Sequence, residues 1–264
     1  LGMLFEKIYK NEAADWKDWA LMFFLGLLTH ILLDSLTTYG TGLFEPFSHH
    51  RIIFNTIFII DPFYTLPMLI SFTALLILRR DSTKRKLWNR FGLLLSSLYL
   101  FFTIVNKNYI NSIFEKSLNE QHLSYTDYFT SPSPLNNILW SVAAKSDSCY
   151  WIGYYSLFDK NKKIKYSTLD KNENLADDFK NDKIYQTLES FSGGFYCITD
   201  EDGLIRFNDL RFGLINGWDE GKGQFVFSMG LKKDETGKLS TQQNAWSSSR
   251  FSGISTLMNR IKGK

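Results

Sequence analysis

His30 and Asp34 stand four residues apart in one long apolar run, and Asp61 lies in the next. Four residues make about one helical turn, so the imidazole and the first carboxylate share a helix face. Ionisable groups inside hydrocarbon are costly unless paired or turned to a polar cavity, which makes all three functional candidates by position. A neutral imidazole and two carboxylates suit a divalent metal such as zinc or manganese. A metal held there would lower the pKa of a bound water and deliver hydroxide to an ester or phosphoester. The structural alternative is a His–Asp pair that joins helices, with Asp61 capping a helix broken at Pro62.

Around this core, Ser35, Thr37 and Thr38 follow Asp34 directly. Their hydroxyls either hold the carboxylate as a second layer of contacts or bond back to carbonyls of their own helix. Tyr39 and Glu45 fall on the same rim and are candidates for touching substrate. His49 and His50 are adjacent, so their side chains point apart, as expected of solvated loop residues.

Three apolar stretches must position these groups. The expected spans are about 19–39, 52–78 and 88–107, the last built on FGLLLSSLYLFFTIV with Trp88 and Lys107 at its flanks. A crossing needs about 20 mostly apolar residues; three such runs in so short a stretch favour a membrane bundle over buried helices of a soluble domain. The segment 79–90 carries six basic residues and one acid, against one of each in 40–51. Positive charge near span ends stays in the cytoplasm. That places 79–90 and the N-terminus inside, and 40–51 and everything after the third span outside. On these spans Asp34 and Asp61 fall within roughly 8–14 Å of the same outer face, with His30 one turn deeper.

The slightly negative mean hydropathy of the 264 residues hides a split. Residues 1–105 hold nearly all the long apolar runs, with 10 Lys+Arg and 8 Asp+Glu; the rest carries 20 and 19. The rear basic residues are interleaved with acids and form no stripe that would replace counterions along phosphates, which argues against nucleic-acid binding. Cys149 and Cys197 show no metal-ligand spacing; in an exterior domain they could pair. The first residues lack the apolar core of a cleavable signal, and the chain starts at Leu1, as a fragment would.

The fold expected is α+β: a transmembrane helical bundle over 1–105, a helical linker over 106–135, and a soluble extracytoplasmic domain over 136–264, mainly antiparallel β with flanking helices. Ile110, Ile113, Phe114 and Leu118 mark one face of the linker helix. Strands are expected in ILWSVAA, CYWIGYYSLF, 194–199, 204–212 and 224–231, with a helix over 175–190. A short amphipathic helix over 246–261 either lies on the membrane or packs on the sheet. Arg206, Asp209 and Arg211 read as a structural ion pair.

The run HILLDSLTTYGTGLFEPFSHHR followed by FIIDPFYTLPMLI resembles the YdjM-like family of inner-membrane, predicted metal-dependent hydrolases. SPSPLNNILWSVAAKS, YWIGYYSLFD, FSGGFYCITDEDG and NDLRFG are similar to its longer members. The resemblance implies a multi-pass bacterial inner-membrane protein and a hydrolase with His30 and Asp34 as metal ligands and Asp61 beside them. Members of that family carry further His and Asp motifs upstream, including an HRGxTHS-like segment. None is present here, so additional N-terminal helices or an oligomer would complete the site. The family has also been described as LexA-binding, which no residue here explains. The function expected is therefore metal-dependent hydrolysis of a lipid-like or phosphoester substrate at the outer face. The alternative is a non-catalytic, membrane-anchored binding or scaffold protein with a β-rich recognition domain.

Overall fold

A computed structural model of the chain describes residues 1–10, 14–218, 223–234, 237–243 and 254–264. It divides into two compact units, Leu1–Asn55 and Thr56–Lys264.

In the first unit a short helix α1 (Gly2–Ile8) packs on α2 (Trp16–Ser35). Gly2 permits that approach, since a Cβ there would stand 2.5 Å from the Trp16 carbonyl oxygen. Phe5 then stacks on Tyr9 and packs against Trp19 and, edge-on, Phe23. α2 begins where Asp15 and Asp18 form a reciprocal capping box. It ends at Ser35, short of the expected 39. The Ser35 hydroxyl donates to the Leu32 carbonyl and that of Thr37 to Asp34. Arg51 then gathers the Tyr39 and Gly40 carbonyls at 2.9 Å each, turning the chain into an isolated bridge between Thr41 and Ile52. Gly40 has φ +62, and any Cβ would strike Ile53 and the Ile52 carbonyl.

The second unit opens with a helical hairpin, α3 (Pro62–Ile77) and α4 (Lys84–Glu120). The apolar run 52–78 is thus helical only from Pro62. Asp61 accepts from the Phe63 amide as N-cap, and Pro62 occupies the first turn, where its missing N–H costs nothing. The helices run antiparallel: Arg85, near the start of α4, donates to the Leu75 and Leu78 carbonyls that end α3, while Tyr99 reaches back to Asp61. Gly92 lies flush on Ser71, and the Ser96 hydroxyl donates to the Tyr64 carbonyl. Small residues at the contact let apolar helices approach closely.

α4 has 37 residues, roughly 55 Å at 1.5 Å each. Its second half leaves the apolar hairpin and becomes part of the following domain. Ile110, Phe114 and Leu118 are fully buried against Trp140, Val142 and Ala144. The first sheet is an antiparallel meander of β1 (Asp127–Pro132), β2 (Leu139–Lys145), β3 (Cys149–Ser156) and β4 (Tyr166–Asp170). The second is β5 (Tyr196–Glu201), β6 (Leu204–Ile215), β7 (Gln224–Lys233) and β8 (Leu239–Gln243). Alternation along each strand sorts the layers. In β2, Trp140, Val142 and Ala144 meet α4, while Ala143 joins Tyr150, Phe195, Cys197 and Leu210 between the sheets. In β5, Tyr196 and Ile198 face outward, under a 3-10 turn over Glu173–Phe179 and helix α5 (Lys183–Ser192). Four layers result, helix–sheet–sheet–helix.

Several boundaries differ from expectation. The linker 106–135 is helical only to Glu120; Asp127–Pro132 pairs with β2 and starts the sheet. The helix expected over 175–190 is two pieces, because Asp182 caps the Ile184 amide and starts α5 anew. The last helix, α6 (Ile254–Ile261), lies on the domain. Arg260 is bound by both Asp159 oxygens at 2.6 and 2.7 Å, and Ser156 donates to the Ile261 carbonyl. Positions 246–253 of that expected helix lie outside the described residues. Cys149 and Cys197 are both free thiols.

Candidate functional site

α2 carries His30 and Asp34 on one face, as their spacing requires. His30 Nε2 is 3.4 Å from an Asp34 oxygen, with side chains 71% and 46% exposed. Asp34 is the second-last residue of α2, so the carboxylate sits at the helix end and His30 one turn further in. This pair is the polar feature of a helix that is otherwise almost wholly apolar along Ala20–Leu33.

The neighbouring candidates are held locally. Ser35 and Thr37 bond back to carbonyls of α2. Thr38 donates to Asn55 at 2.5 Å, and the two are buried together. The Tyr39 carbonyl accepts from Arg51, and its ring is exposed. Glu45 holds the exposed His49 with both oxygens 3.0 Å from Nδ1.

Asp61 belongs to the second unit and is only 2% exposed. One oxygen accepts from the Phe63 amide at 2.9 Å, the other from the Tyr99 hydroxyl at 2.8 Å. It is a helix cap locked by a phenol from the facing helix. Tyr99 is not among the residues expected at the site, although it is a lone hydroxyl-bearing ring within LSSLYLFF. Next to it in space, Thr103 meets Thr56, and Asn137 donates to the Thr56 carbonyl while accepting from Asn106. These amides fasten the chain just before α3 to α4 and to the turn preceding β2.

Two apolar helices of spanning length, α2 and α4, and the shorter apolar α3 mark the front of the chain as a membrane region. A family model described as YdjM inner membrane protein matches residues 1–110. The front of this chain is similar to the YdjM family. The YdjM match takes in α1 to α3 and α4 as far as Ile110, and both sheets lie beyond it. With its apolar helices, it makes the chain a membrane-associated protein. No curated protein and no solved structure matches the chain.

A metal is implied by the YdjM resemblance, and its fit can be judged from the donors. Among the described residues no group of three or more His, Cys, Asp or Glu side chains is placed to hold an ion. His30 and Asp34 supply two donors, one short of the three protein ligands a catalytic zinc takes. By themselves they give no route to an activated water.

In the rear domain, Asp209 and Arg211 form a buried ion pair, with 0% and 1% of their side chains exposed and a closest contact of 2.6 Å. Arg211 also lies over the Phe191 ring at 4.7 Å. Arg206 pairs instead with Glu201. These are structural contacts: Arg211 over Phe191 holds β6 against α5, and Arg206–Glu201 ties β6 to β5.

Proposed function

We propose that the chain is part of a membrane-bound metal-dependent hydrolase, with His30 and Asp34 giving two ligands to a zinc or manganese ion. The remaining ligands come from a second copy or from further helices of the same membrane assembly. What carries this is the exposed His30–Asp34 contact on an otherwise apolar helix of the region similar to the YdjM family. Exposed ionisable groups in such a setting need a polar partner, and a cation would satisfy both. In this proposal α2, α3 and α4 each cross the membrane. Residues 79–90 face the cytoplasm, the sheets lie outside, and the substrate is a lipid-like ester or phosphoester at that face. Elemental analysis of full-length protein in detergent tests it. One divalent ion per site, lost in His30→Ala and in Asp34→Ala, supports the proposal; metal content unchanged in both variants overturns it.

A second reading is favoured by Asp61, whose two oxygens are already committed to helix capping and to Tyr99. In that reading the apolar helices are an anchor, and the two-sheet domain recognises a partner. Both His30→Ala and Asp34→Ala would then leave fold and phenotype intact.

A further inference from the structure

The connection between β3 and β4 carries Lys160, Lys162, Lys163 and Lys165 within six residues, and all four are exposed. The acid at its start, Asp159, is already bound by both arms of Arg260, so it does not neutralise them. The loop separates two open clefts. One, of about 530 Å³, lies between Lys162 and Lys163 and the α4 residues Tyr109, Ser112 and Gln121. The other, of about 720 Å³, has Lys160, Lys163 and Lys165 on one side and Tyr154, Tyr166 and Trp218 on the other.

The height of this loop gives it meaning. The apolar stretch of α4 ends at Val105, and Tyr109 follows four residues later, about 6 Å further along the helix axis. Headgroups occupy roughly the first 5–8 Å beyond the hydrocarbon. Lys162 Nζ stands 5.5 Å from the centre of the Tyr109 ring, which sets it in that layer. The other three lysines lie in the same short loop, near enough to act across a Debye length of about 8–10 Å. Tyr109, exposed at the same level, is a residue type that favours the interface. Clustered lysines beside a membrane span attract anionic lipid.

We propose that the 160–165 loop and its two clefts bind the phosphodiester headgroups of anionic phospholipids and seat the two-sheet domain on the bilayer. The test uses full-length protein in neutral detergent, titrated with phosphatidylglycerol or phosphatidylcholine, with bound lipids counted by native mass spectrometry. The wild type should prefer phosphatidylglycerol by tenfold or more. The variant K160Q/K162Q/K163Q/K165Q should lose most of that preference, while the four Lys→Arg changes together should keep it. The basic 79–90 segment is the same in every variant, so its contribution cancels. An unchanged preference in the glutamine variant, or none in the wild type, overturns the proposal. Displacement of the lipid by millimolar inorganic phosphate also overturns it, because the site would then be one for free phosphate.

Discussion

A carboxylate at the head of an apolar helix has two demands: its charge needs donors, and the helix amides need acceptors. Asp61 answers both through the Phe63 amide and the Tyr99 hydroxyl. Removing it in Asp61→Ala loses a cap worth about 1 kcal/mol and strands the phenol, at about 1–3 kcal/mol. Thermal unfolding in detergent should show a loss of about 2–4 kcal/mol, and Tyr99→Phe a smaller one of about 1 kcal/mol. Wild-type stability in Asp61→Ala would refute the capping role. Cys197 offers a second residue-scale test, because burial pushes its thiol up to about 12. The folded state therefore favours the protonated form. That contribution to stability is complete below the ordinary thiol range and is lost as pH rises through it toward 12. At pH 8 a thiol alkylating reagent should label the half-exposed Cys149 and leave Cys197 untouched until denaturant is added, as mass mapping would show. The His30–Asp34 contact was legible from spacing alone, because residues four apart on a helix must face one another. The commitment of Asp61 was not, since its partner Tyr99 is 38 residues away and only helix packing brings them together.

At the scale of elements, hydropathy found the apolar runs but misjudged where helix begins. Asp61-Pro62 is a cap followed by a first-turn proline, and that local signal overrides the apolar residues before it. The strands missed or misjudged have a common reason. β1, β4 and β8 lie at sheet edges, where proline is tolerated, as at Pro132. One side of such a strand meets solvent, so YSTLD and LSTQQ lack the apolar alternation of β2 or β3. The helical face of the linker was readable, and Ile110, Ile113, Phe114 and Leu118 do form the contact with the first sheet. Phe114→Ala should cost about 3–5 kcal/mol in chemical denaturation followed by near-ultraviolet circular dichroism; a loss below 1 kcal/mol would mean that α4 does not build this core. In the hairpin, a side chain at Gly92 would meet the Ser71 hydroxyl at 2.4 Å. Gly92→Val should therefore part α3 from α4 and lower stability by about 1–3 kcal/mol.

At the scale of the molecule, one continuous helix links an apolar hairpin to a four-layer domain, so on the proposed topology whatever fixes α4 in the bilayer also fixes the sheets. Orientation is the property that charge asymmetry foretells, and labelling can check it. With the native cysteines replaced, Asn161→Cys should react with an impermeant maleimide in intact spheroplasts. Ser82→Cys should react only after lysis, and the reverse pattern would invert the proposed topology. The proposed metal is the harder matter, because His30 and Asp34 offer two donors and the described residues place no third beside them. X-ray absorption at the metal edge of full-length, metal-loaded protein addresses it most directly. Ligation by His30 predicts an imidazole scattering signature in the wild type that weakens in His30→Ala and persists in Asp61→Asn. The same spectrum in wild type and His30→Ala would show that this histidine does not touch the ion.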